Sequence, residues 1–268
     1  MPANPIDIDK SQRARDMFRP NRYRLDDRFV LRDGKRHPFA VICPGGGYFV
    51  VCSFVEGVPL AKRLNDLGIS VFIAYYRVRK KARYPGPQDD LARAVKTILE
   101  QADHYMVEKE HYSVWGASAG GHLVASFGTD HMGYKHYGLP KPGALVLTYP
   151  VITMDPQLTH MGTHDNLLGK DPAKEREEFA SVERHVTADY PPTYIWCGDA
   201  DATVPPENTR MMAAALEKAG VPHRCRIFPG LDHGIGLASD TCAANWLEEA
   251  AAFWQELDKS QKREDSTC

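Results

Sequence analysis

The 268-residue sequence lacks the features that identify several large classes of protein. Lys and Arg number 33 against 35 Asp and Glu, so there is no basic excess of the kind that nucleic-acid-binding domains carry. No stretch of the chain approaches the roughly 18 uninterrupted apolar residues of a membrane-spanning helix. Residues 1–24 contain no apolar core like that of a signal peptide. We therefore expect a cytoplasmic protein that has neither nucleic acid nor a membrane as its partner.

Motifs for metals and cofactors are also absent. The six cysteines include no C-x-x-C pair, and their irregular spacing does not resemble a disulfide framework. The histidines form no H-E-x-x-H motif, and no G-x-G-x-x-G or P-loop sequence is present. We expect no metal and no cofactor, so any chemistry is predicted to come from side chains and backbone groups.

What the sequence does contain is the composition of a globular protein, with 43% hydrophobic and 25% charged residues. Short β-branched runs alternate with longer helical patterns, which predicts an α/β fold with a mostly parallel twisted sheet and helices on both faces. The continuous apolar runs are typical of strands covered on both faces. The predicted strands are 39–43, 70–76, 112–115, 144–149, 193–197 and 223–228. The helical patterns cover 57–67, 88–102, 121–127, 207–219 and 243–257.

The alternation predicts one main domain over residues 29–257. Residues 1–28 precede the first clear strand and are predicted to form an N-terminal arm or an edge hairpin. Residues 154–190 form a long polar connection, which is more typical of a functional lid than of a structureless loop. Residues 258–268 are predicted to be a polar, frayed tail.

A Gly-Ala-Ser-Ala-Gly segment at residues 116–120 is the strongest local signal for chemistry. It matches G-x-S-x-G and lies between a predicted strand and a predicted helix. In that context the motif predicts a sharp turn that exposes a serine hydroxyl, and glycines suit the crowded backbone beside it. Ser118 is therefore the candidate nucleophile.

A serine hydroxyl needs a base and an acid that orients the base. Asp199 and Asp201 both follow the predicted strand 193–197, and His233 lies on a glycine-flanked loop after the next strand. The chain order of serine, acid and histidine suits a hydrolase of this type. Either aspartate is a candidate acid, whereas Asp232 is disfavoured because adjacent side chains rarely bring their reactive atoms together.

The glycine-rich loop, residues 44–48, reads Pro-Gly-Gly-Gly-Tyr and follows the first predicted strand. Its exposed N–H groups could receive a tetrahedral oxyanion, together with the N–H of Ala119. Without a following Lys-Ser or Lys-Thr, the loop does not match the phosphate-binding alternative. Gly45, Gly46 and Gly47 are the candidate donors.

Taken together, these residues resemble the α/β-hydrolase superfamily, and within it the branch of bacterial acetyl-xylan esterases and hormone-sensitive-lipase-like esterases. The resemblance covers about residues 39–254 and rests on four segments. These are Pro-Gly-Gly-Gly-Tyr, Gly-Ala-Ser-Ala-Gly-Gly-His-Leu, Gly-Asp-Ala-Asp-Ala-Thr-Val-Pro and Asp-His-Gly. The chain departs from the lipase-like branch at Pro44, where that branch usually has histidine.

The resemblance implies the α/β-hydrolase fold with a short lid insertion and a serine carboxylesterase activity. In it, Ser118 would be the nucleophile, Asp201 the acid and His233 the general base. The implied substrate is a small-molecule or oligosaccharide ester with a short acyl group, such as an acetyl ester on xylan or another sugar. Tyr48 and Phe49 are candidates for lining an acyl pocket.

Other interpretations remain open at the level of sequence. A serine peptidase or amidase of the same fold, and a hydrolase-fold binding protein without catalysis, are the alternatives to an esterase. His122 follows the serine on its helix but faces away from it, so a structural role is predicted. The oligomeric state stays open, a homo-oligomer included.

Overall fold

The computed structural model describes residues 23–265, and within them it contains a seven-stranded sheet. The strands are β1 (Arg24–Phe29), β2 (Phe39–Cys43), β3 (Ser70–Tyr75), β4 (Ser113–Ala117), β5 (Ala144–Thr148), β6 (Thr193–Gly198) and β7 (His223–Phe228). Their order across the sheet is β1-β3-β2-β4-β5-β6-β7. Only the β1–β3 pairing is antiparallel, and all other neighbouring strands are parallel. The predicted mostly parallel sheet is confirmed.

Helices cover both faces of this sheet, as the sequence predicts. In the described part of the chain the α-helices are α1 (Ser53–Glu56), α2 (Val58–Asp66), α3 (Gly86–Glu100), α4 (Ala102–Tyr105), α5 (Ser118–Phe127), α6 (Met161–Leu167), α7 (Lys174–Ala180), α8 (Glu207–Lys218) and α9 (Trp246–Asp265). Successive strand residues face opposite cores, because side chains alternate along a strand. In β4, Val114 joins the core that includes Leu123 of α5, and Trp115 joins the core that includes Trp246 of α9.

Burial along the strands follows their position in the sheet. Every residue of β2, β4, β5 and β6 is buried, as expected for strands covered on both faces. The same expectation is wrong for β7, whose residues are all partly or fully exposed. The reason is that β7 is one of the two edge strands of this sheet, with a neighbouring strand on one side only.

The N-terminal boundary of the domain lies earlier than predicted. Residues 24–29 form β1, which pairs with β3 at the sheet edge, so they belong to the domain and form an edge strand instead of the predicted arm or edge hairpin. The strand was missed because its sequence, Arg-Leu-Asp-Asp-Arg-Phe, is mostly charged. Its buried carboxylate, Asp26, is compensated by two hydrogen bonds from the Arg28 guanidinium, at 2.8 and 2.7 Å. The rest of the predicted arm, residues 1–22, lies outside the described residues.

The C-terminal boundary also differs from the prediction. The predicted helix 243–257 begins at Trp246 and continues to Asp265, so residues 258–265 of the predicted frayed tail are helical. The remaining residues, 266–268, lie outside the described part of the chain. None of the helices within residues 23–265, α9 included, is both long and apolar enough to cross a bilayer.

The connection 154–190, predicted to be a lid, contains α6 and α7 and packs next to the glycine-rich loop. The Asn166 side chain of α6 donates a hydrogen bond to the Gly47 carbonyl at 2.9 Å. This contact places the connection beside the carboxyl end of β2. Its role as a lid stays a prediction.

The order of the strands identifies where a ligand would bind. From β2 the chain runs to β3 on one side, and from β4 it continues through β5, β6 and β7 on the other. Such a reversal between neighbouring parallel strands opens a crevice at their carboxyl ends. Cys43 at the end of β2 lies opposite Gly116 of β4, so the glycine-rich loop and Ser118 meet at this crevice.

Candidate active site

Ser118 lies on a strained turn between β4 and α5. Its φ is +53°, a left-handed conformation that is uncommon for a residue other than glycine. The glycines beside it are required by close backbone approach. A Cβ on Gly116 would lie 2.3 Å from the Gly120 carbonyl oxygen, and one on Gly120 would lie 2.0 Å from that of Cys43. The helix begins at Ser118 itself, not at residue 121 as predicted, which places the hydroxyl at the helix N-terminus.

His233 and Asp201 lie within hydrogen-bonding distance of this serine and of each other. The Ser118 Oγ is 2.8 Å from His233 Nε2, and His233 Nδ1 is 2.7 Å from Asp201 Oδ2. An ionised carboxylate only accepts hydrogen bonds, so Nδ1 carries the proton and Nε2 accepts from the serine. The other oxygen of Asp201 accepts from the N–H groups of Thr203 and Val204, at 3.0 and 2.8 Å. Those two bonds fix the carboxylate with Oδ2 facing the imidazole.

The rival aspartates make other contacts. Asp199 Oδ1 accepts a hydrogen bond from the Gly230 N–H at 2.6 Å. Asp232 Oδ1 accepts from the backbone N–H of His233 at 2.7 Å, as its position next to the histidine allows. Of the three aspartates, Asp201 is the one whose carboxylate hydrogen-bonds to the His233 ring.

The glycine-rich loop presents fewer free donors than its sequence indicates. The Gly45 N–H donates to Glu56 Oε2 at 2.8 Å, so this candidate donor is already engaged. Gly46 and Gly47 both have positive φ, +121° and +62°, and both line the cavity at Ser118. Ala119 is the second residue of α5, where backbone N–H groups have no acceptor within the helix. Gly46, Gly47 and Ala119 remain the candidate oxyanion donors.

Of the two aromatic residues predicted to line an acyl pocket, only Phe49 lines the cavity at Ser118. Phe49 lines the cavity and is half-exposed, and the Arg79 guanidinium lies 4.6 Å from its ring centroid. The prediction is wrong for Tyr48, which is fully buried. The Tyr48 hydroxyl donates to His122 Nδ1 at 3.0 Å, because the other ring nitrogen of His122 donates to the Ala180 carbonyl. Although Tyr48 directly follows the glycines, its ring packs into the hydrophobic core instead of facing the cavity.

His122 has the structural environment that the sequence predicted for it. The ring is fully buried, and burial lowers the pKa of His122 to about 4, so the imidazole is neutral at physiological pH. Both nitrogens are occupied by Tyr48 and Ala180. His122 is thus a core residue that joins α5 to the glycine-rich loop and to the end of α7.

Ser118 and His233 open into a cavity of about 470 Å³. This volume falls in the usual range for small-molecule sites. The glycine-rich loop, α1, the 154–190 connection and the loops carrying Asp201 and His233 all contribute to its wall. Its lining residues are Gly46, Gly47, Phe49, Cys52, Val55, Glu56, Ser118, His160, Gly162, Asn166, Thr203, His233 and Gly234.

Several residues at this site could not be found from the sequence, and two of them lie buried beside the candidate catalytic groups. Tyr149, directly after β5, is buried and packs the edge of its ring against His233, with centroids 4.8 Å apart. Glu56 in α1 is 4% exposed and lines the cavity. The available signals were the position of Tyr149 at a carboxyl strand end and a lone acidic residue in the apolar run after the glycine-rich loop.

Comparisons with known proteins agree with this architecture. The family model described as BD-FAE matches residues 31–216. The chain is 30% identical over 227 residues to endo-1,4-beta-xylanase B of Butyrivibrio fibrisolvens, covering 81% of this chain and 35% of that protein. It is also 30% identical over 203 residues to an acetylxylan esterase of Xylanibacter ruminicola, covering 73% of this chain and 40% of that protein. The chain therefore spans well under half the length of these curated relatives.

Solved structures show the same fold. An acetyl ester-xyloside bifunctional hydrolase from Caldicellulosiruptor lactoaceticus superposes with a TM-score of 0.81 at 30% identity, covering 96% of this chain and 94% of that one. A carboxylesterase from Lactobacillus plantarum has a TM-score of 0.74 at 24% identity, covering 89% of this chain and 94% of that one. The second likeness concerns the fold alone.

Proposed function

The chain belongs to the BD-FAE family and has the α/β-hydrolase fold, and from this premise we propose that it is a serine carboxylesterase for short acyl esters. The observation that carries the proposal is the continuous hydrogen-bonded series from Ser118 through His233 to Asp201, at 2.8 and 2.7 Å, opening into a cavity. Each member is held by its own backbone element. A nucleophile, a base and an orienting acid within hydrogen-bond reach are what acyl transfer requires.

In the proposed acylation, Ser118 Oγ attacks the ester carbonyl carbon as its proton passes to His233 Nε2. The electron pair of the carbonyl double bond moves onto oxygen, and in this proposal the N–H groups of Gly46, Gly47 and Ala119 stabilise that oxyanion. Asp201 stabilises the imidazolium through Nδ1–H. When the oxyanion collapses, the bond to the alcohol oxygen breaks and that oxygen takes the proton from Nε2.

Deacylation repeats these reaction steps with water as the nucleophile. A water oxygen attacks the acyl carbon while its proton passes to His233 Nε2. Collapse of the second oxyanion breaks the bond to Ser118 Oγ, which recovers its proton from the imidazolium. The products are the free acid and the alcohol, and the enzyme returns to its starting protonation state.

An ester substrate is separable by experiment from an amide substrate. We expect hydrolysis of p-nitrophenyl acetate, with an aminoacyl p-nitroanilide turned over at least about a thousandfold more slowly because an amine is the poorer leaving group. A fluorophosphonate probe should label the protein at Ser118, identified by peptide mass spectrometry. Faster turnover of the anilide would instead indicate an amidase, and an unlabelled, inactive protein would indicate a binding function.

We propose acetyl esters of sugars, xylan in particular, as the substrate class. Support comes from two similar proteins, an acetylxylan esterase and an acetyl ester-xyloside bifunctional hydrolase. The cavity supports it too, because His160, Asn166 and Thr203 interrupt its apolar walls. Burying a long acyl chain against such groups costs their desolvation, whereas a sugar can hydrogen-bond to them.

A chain-length series tests this substrate class. We expect kcat/KM for p-nitrophenyl esters to fall by at least about tenfold from acetate to decanoate, equivalent to about 1.4 kcal/mol of transition-state binding. Acetylated xylo-oligosaccharides should release acetate, measured by a coupled assay. A maximum at octanoate or decanoate, with no acetate released from the oligosaccharides, would contradict the proposed class and leave the esterase chemistry intact.

A further inference from the structure

Glu56 is a buried carboxylate at the centre of the site that the proposed mechanism does not use. It ends the short helix α1, directly after Phe54 and Val55, which are both exposed. Glu56 itself is 4% exposed and lines the cavity together with Ser118. A carboxylate is almost never buried unless something compensates its charge. The surroundings of Glu56 therefore indicate what it does.

Glu56 joins the two loops that carry the catalytic groups. Its Oε2 accepts a hydrogen bond from the Gly45 N–H at 2.8 Å, which holds the start of the glycine-rich loop. Its carboxylate also lies close enough to the Tyr149 hydroxyl for each group to influence the pKa of the other. That hydroxyl accepts from the Gly236 N–H at 3.1 Å, so its own proton is available to Glu56.

Tyr149 carries this connection to the histidine. Its ring packs edge-on against His233 at 4.8 Å, and Gly236 belongs to the same loop as the histidine. A Cβ on Gly236 would lie 2.6 Å from the Val55 carbonyl oxygen, so the loop and α1 approach each other closely. Glu56 thus contacts the start of the glycine-rich loop directly and the loop of His233 through Tyr149.

The charge of Glu56 has no permanent counter-ion. Among the ion pairs of residues 23–265, none includes Glu56. Burial raises the pKa of Glu56 above its usual value, and the Gly45 N–H, the neighbouring Tyr149 hydroxyl and the charge of His233 offset this only in part. Because electrostatic coupling between two groups is reciprocal, the negative charge of Glu56 attracts a positive charge on His233. The positively charged imidazolium is the form the base adopts in the transition state.

We propose that Glu56 is a positioning residue that ties the glycine-rich loop to the loop of His233 and stabilises the imidazolium with its negative charge. The proposal rests on the esterase function above. It assigns the site a second carboxylate, on a different element from Asp201. Asp201 holds Nδ1 directly, whereas Glu56 acts through Tyr149, through Gly45 and through the electrostatic field.

Other ionisable groups near the two residues define the controls. His233 is also influenced by Asp201, by Asp232 and by His160 across the cavity. Asp232 is exposed, so solvent screens its charge, and a protonated His160 would oppose the imidazolium. Around Glu56, the ionisable neighbours besides Tyr149 and His233 are Cys52 and Tyr76, both acids. Glu56 differs from Asp201, which hydrogen-bonds to the His233 ring, and from Asp232, which is exposed.

The test is the near-isosteric substitution Glu56→Gln. Its carbonyl oxygen can still accept from the Gly45 N–H, and its amide has the shape of the carboxylate, so the packing beside Tyr149 is retained while the charge is lost. We expect kcat/KM for p-nitrophenyl acetate to fall about tenfold at pH 8. The acid limb of the kcat/KM–pH profile should move toward lower pH by roughly one pH unit, because a histidine without this anion loses its proton more readily.

Two further variants separate charge from shape. Glu56→Asp keeps the charge on a shorter side chain, so kcat should fall while the acid limb stays near its wild-type position. Glu183→Gln removes another half-buried carboxylate, whose pKa burial also raises, and should leave the profile unchanged. Thermal unfolding of each variant checks that it is folded. An acid limb that does not move in Glu56→Gln, or that moves equally in Glu183→Gln, overturns the proposal.

Failure of the role proposed for Glu56 can be distinguished from failure of the proposed esterase function. If the wild-type protein does not hydrolyse the ester, the proposed function fails before any variant is compared. If the wild-type protein is active and Glu56→Gln matches it in rate and in pH profile, only the role of Glu56 is lost.

Discussion

Replacement of Ser118 by Ala is expected to lower kcat for p-nitrophenyl acetate by about a million-fold, to the residual rate that binding and oxyanion stabilisation provide. The physical reason is that His233 then has no hydroxyl to deprotonate, since its Nε2 faces Ser118 Oγ at 2.8 Å. Covalent labelling by a fluorophosphonate should disappear as well. The fold should persist, because loss of one hydrogen bond costs only about 1 kcal/mol.

A matched serine on the same helix provides the control. Ser126 is fully buried in α5 and donates its hydroxyl to the His122 carbonyl at 2.7 Å, away from the cavity. Ser126→Ala makes the identical chemical change and should keep wild-type turnover and labelling. Turnover of the Ser118→Ala variant at the wild-type rate, in a preparation free of contaminating esterase, would remove Ser118 from the mechanism.

The parts of the site that sequence could predict are those fixed by local backbone geometry. Gly116 and Gly120 beside Ser118 leave no room for a Cβ, so the glycines of the motif directly predict the tight turn. His233 follows a strand on a glycine-bearing loop, and strands of a parallel sheet bring their carboxyl ends to one edge. The positions of Ser118 and His233 after their strands were therefore enough to predict that the two side chains lie close together.

Residues whose role depends on packing could not be predicted in this way. Tyr48 and Phe49 are neighbours in the sequence, yet one is fully buried and the other is half-exposed in the cavity. The Gly45 N–H is engaged because Glu56 folds back onto it from α1, a contact between residues 11 positions apart. Nothing in a Gly-Gly-Gly sequence distinguishes the engaged donor from the free ones.

The fold shows the same division. Buried strands such as β4 have continuous apolar sequences and could be located, with bounds that shifted by a residue or two. The edge strand β1 could not, because its single buried carboxylate, Asp26, is neutralised by arginines that the apolar pattern does not register. The pattern of apolar residues therefore locates strands that form by burying apolar side chains. It does not locate a strand whose buried charge is compensated by ion pairs.

Replacement of Asp201 by Asn is expected to lower kcat/KM by about 10,000-fold. The Thr203 and Val204 N–H groups require an acceptor at the position of Oδ1, so the amide carbonyl would occupy it. The amide NH₂ would then face His233 Nδ1 and donate to it, which forces the proton onto Nε2. An imidazole in that tautomer cannot accept the proton of Ser118.

Asp199 makes the comparison decisive, because the sequence left it as a rival acid. Its Oδ1 accepts from the Gly230 N–H at 2.6 Å, and an asparagine carbonyl can do the same. Asp199→Asn should therefore keep kcat/KM within about threefold of wild type, less than 1 kcal/mol of transition-state stabilisation. If Asp199→Asn were instead the inactive variant, with Asp201→Asn active and both proteins unfolding at the wild-type temperature, Asp201 would not be the acid. Both substitutions remove one negative charge from the same loop. A difference in activity between them would therefore come from the tautomer of His233 and not from the loss of charge.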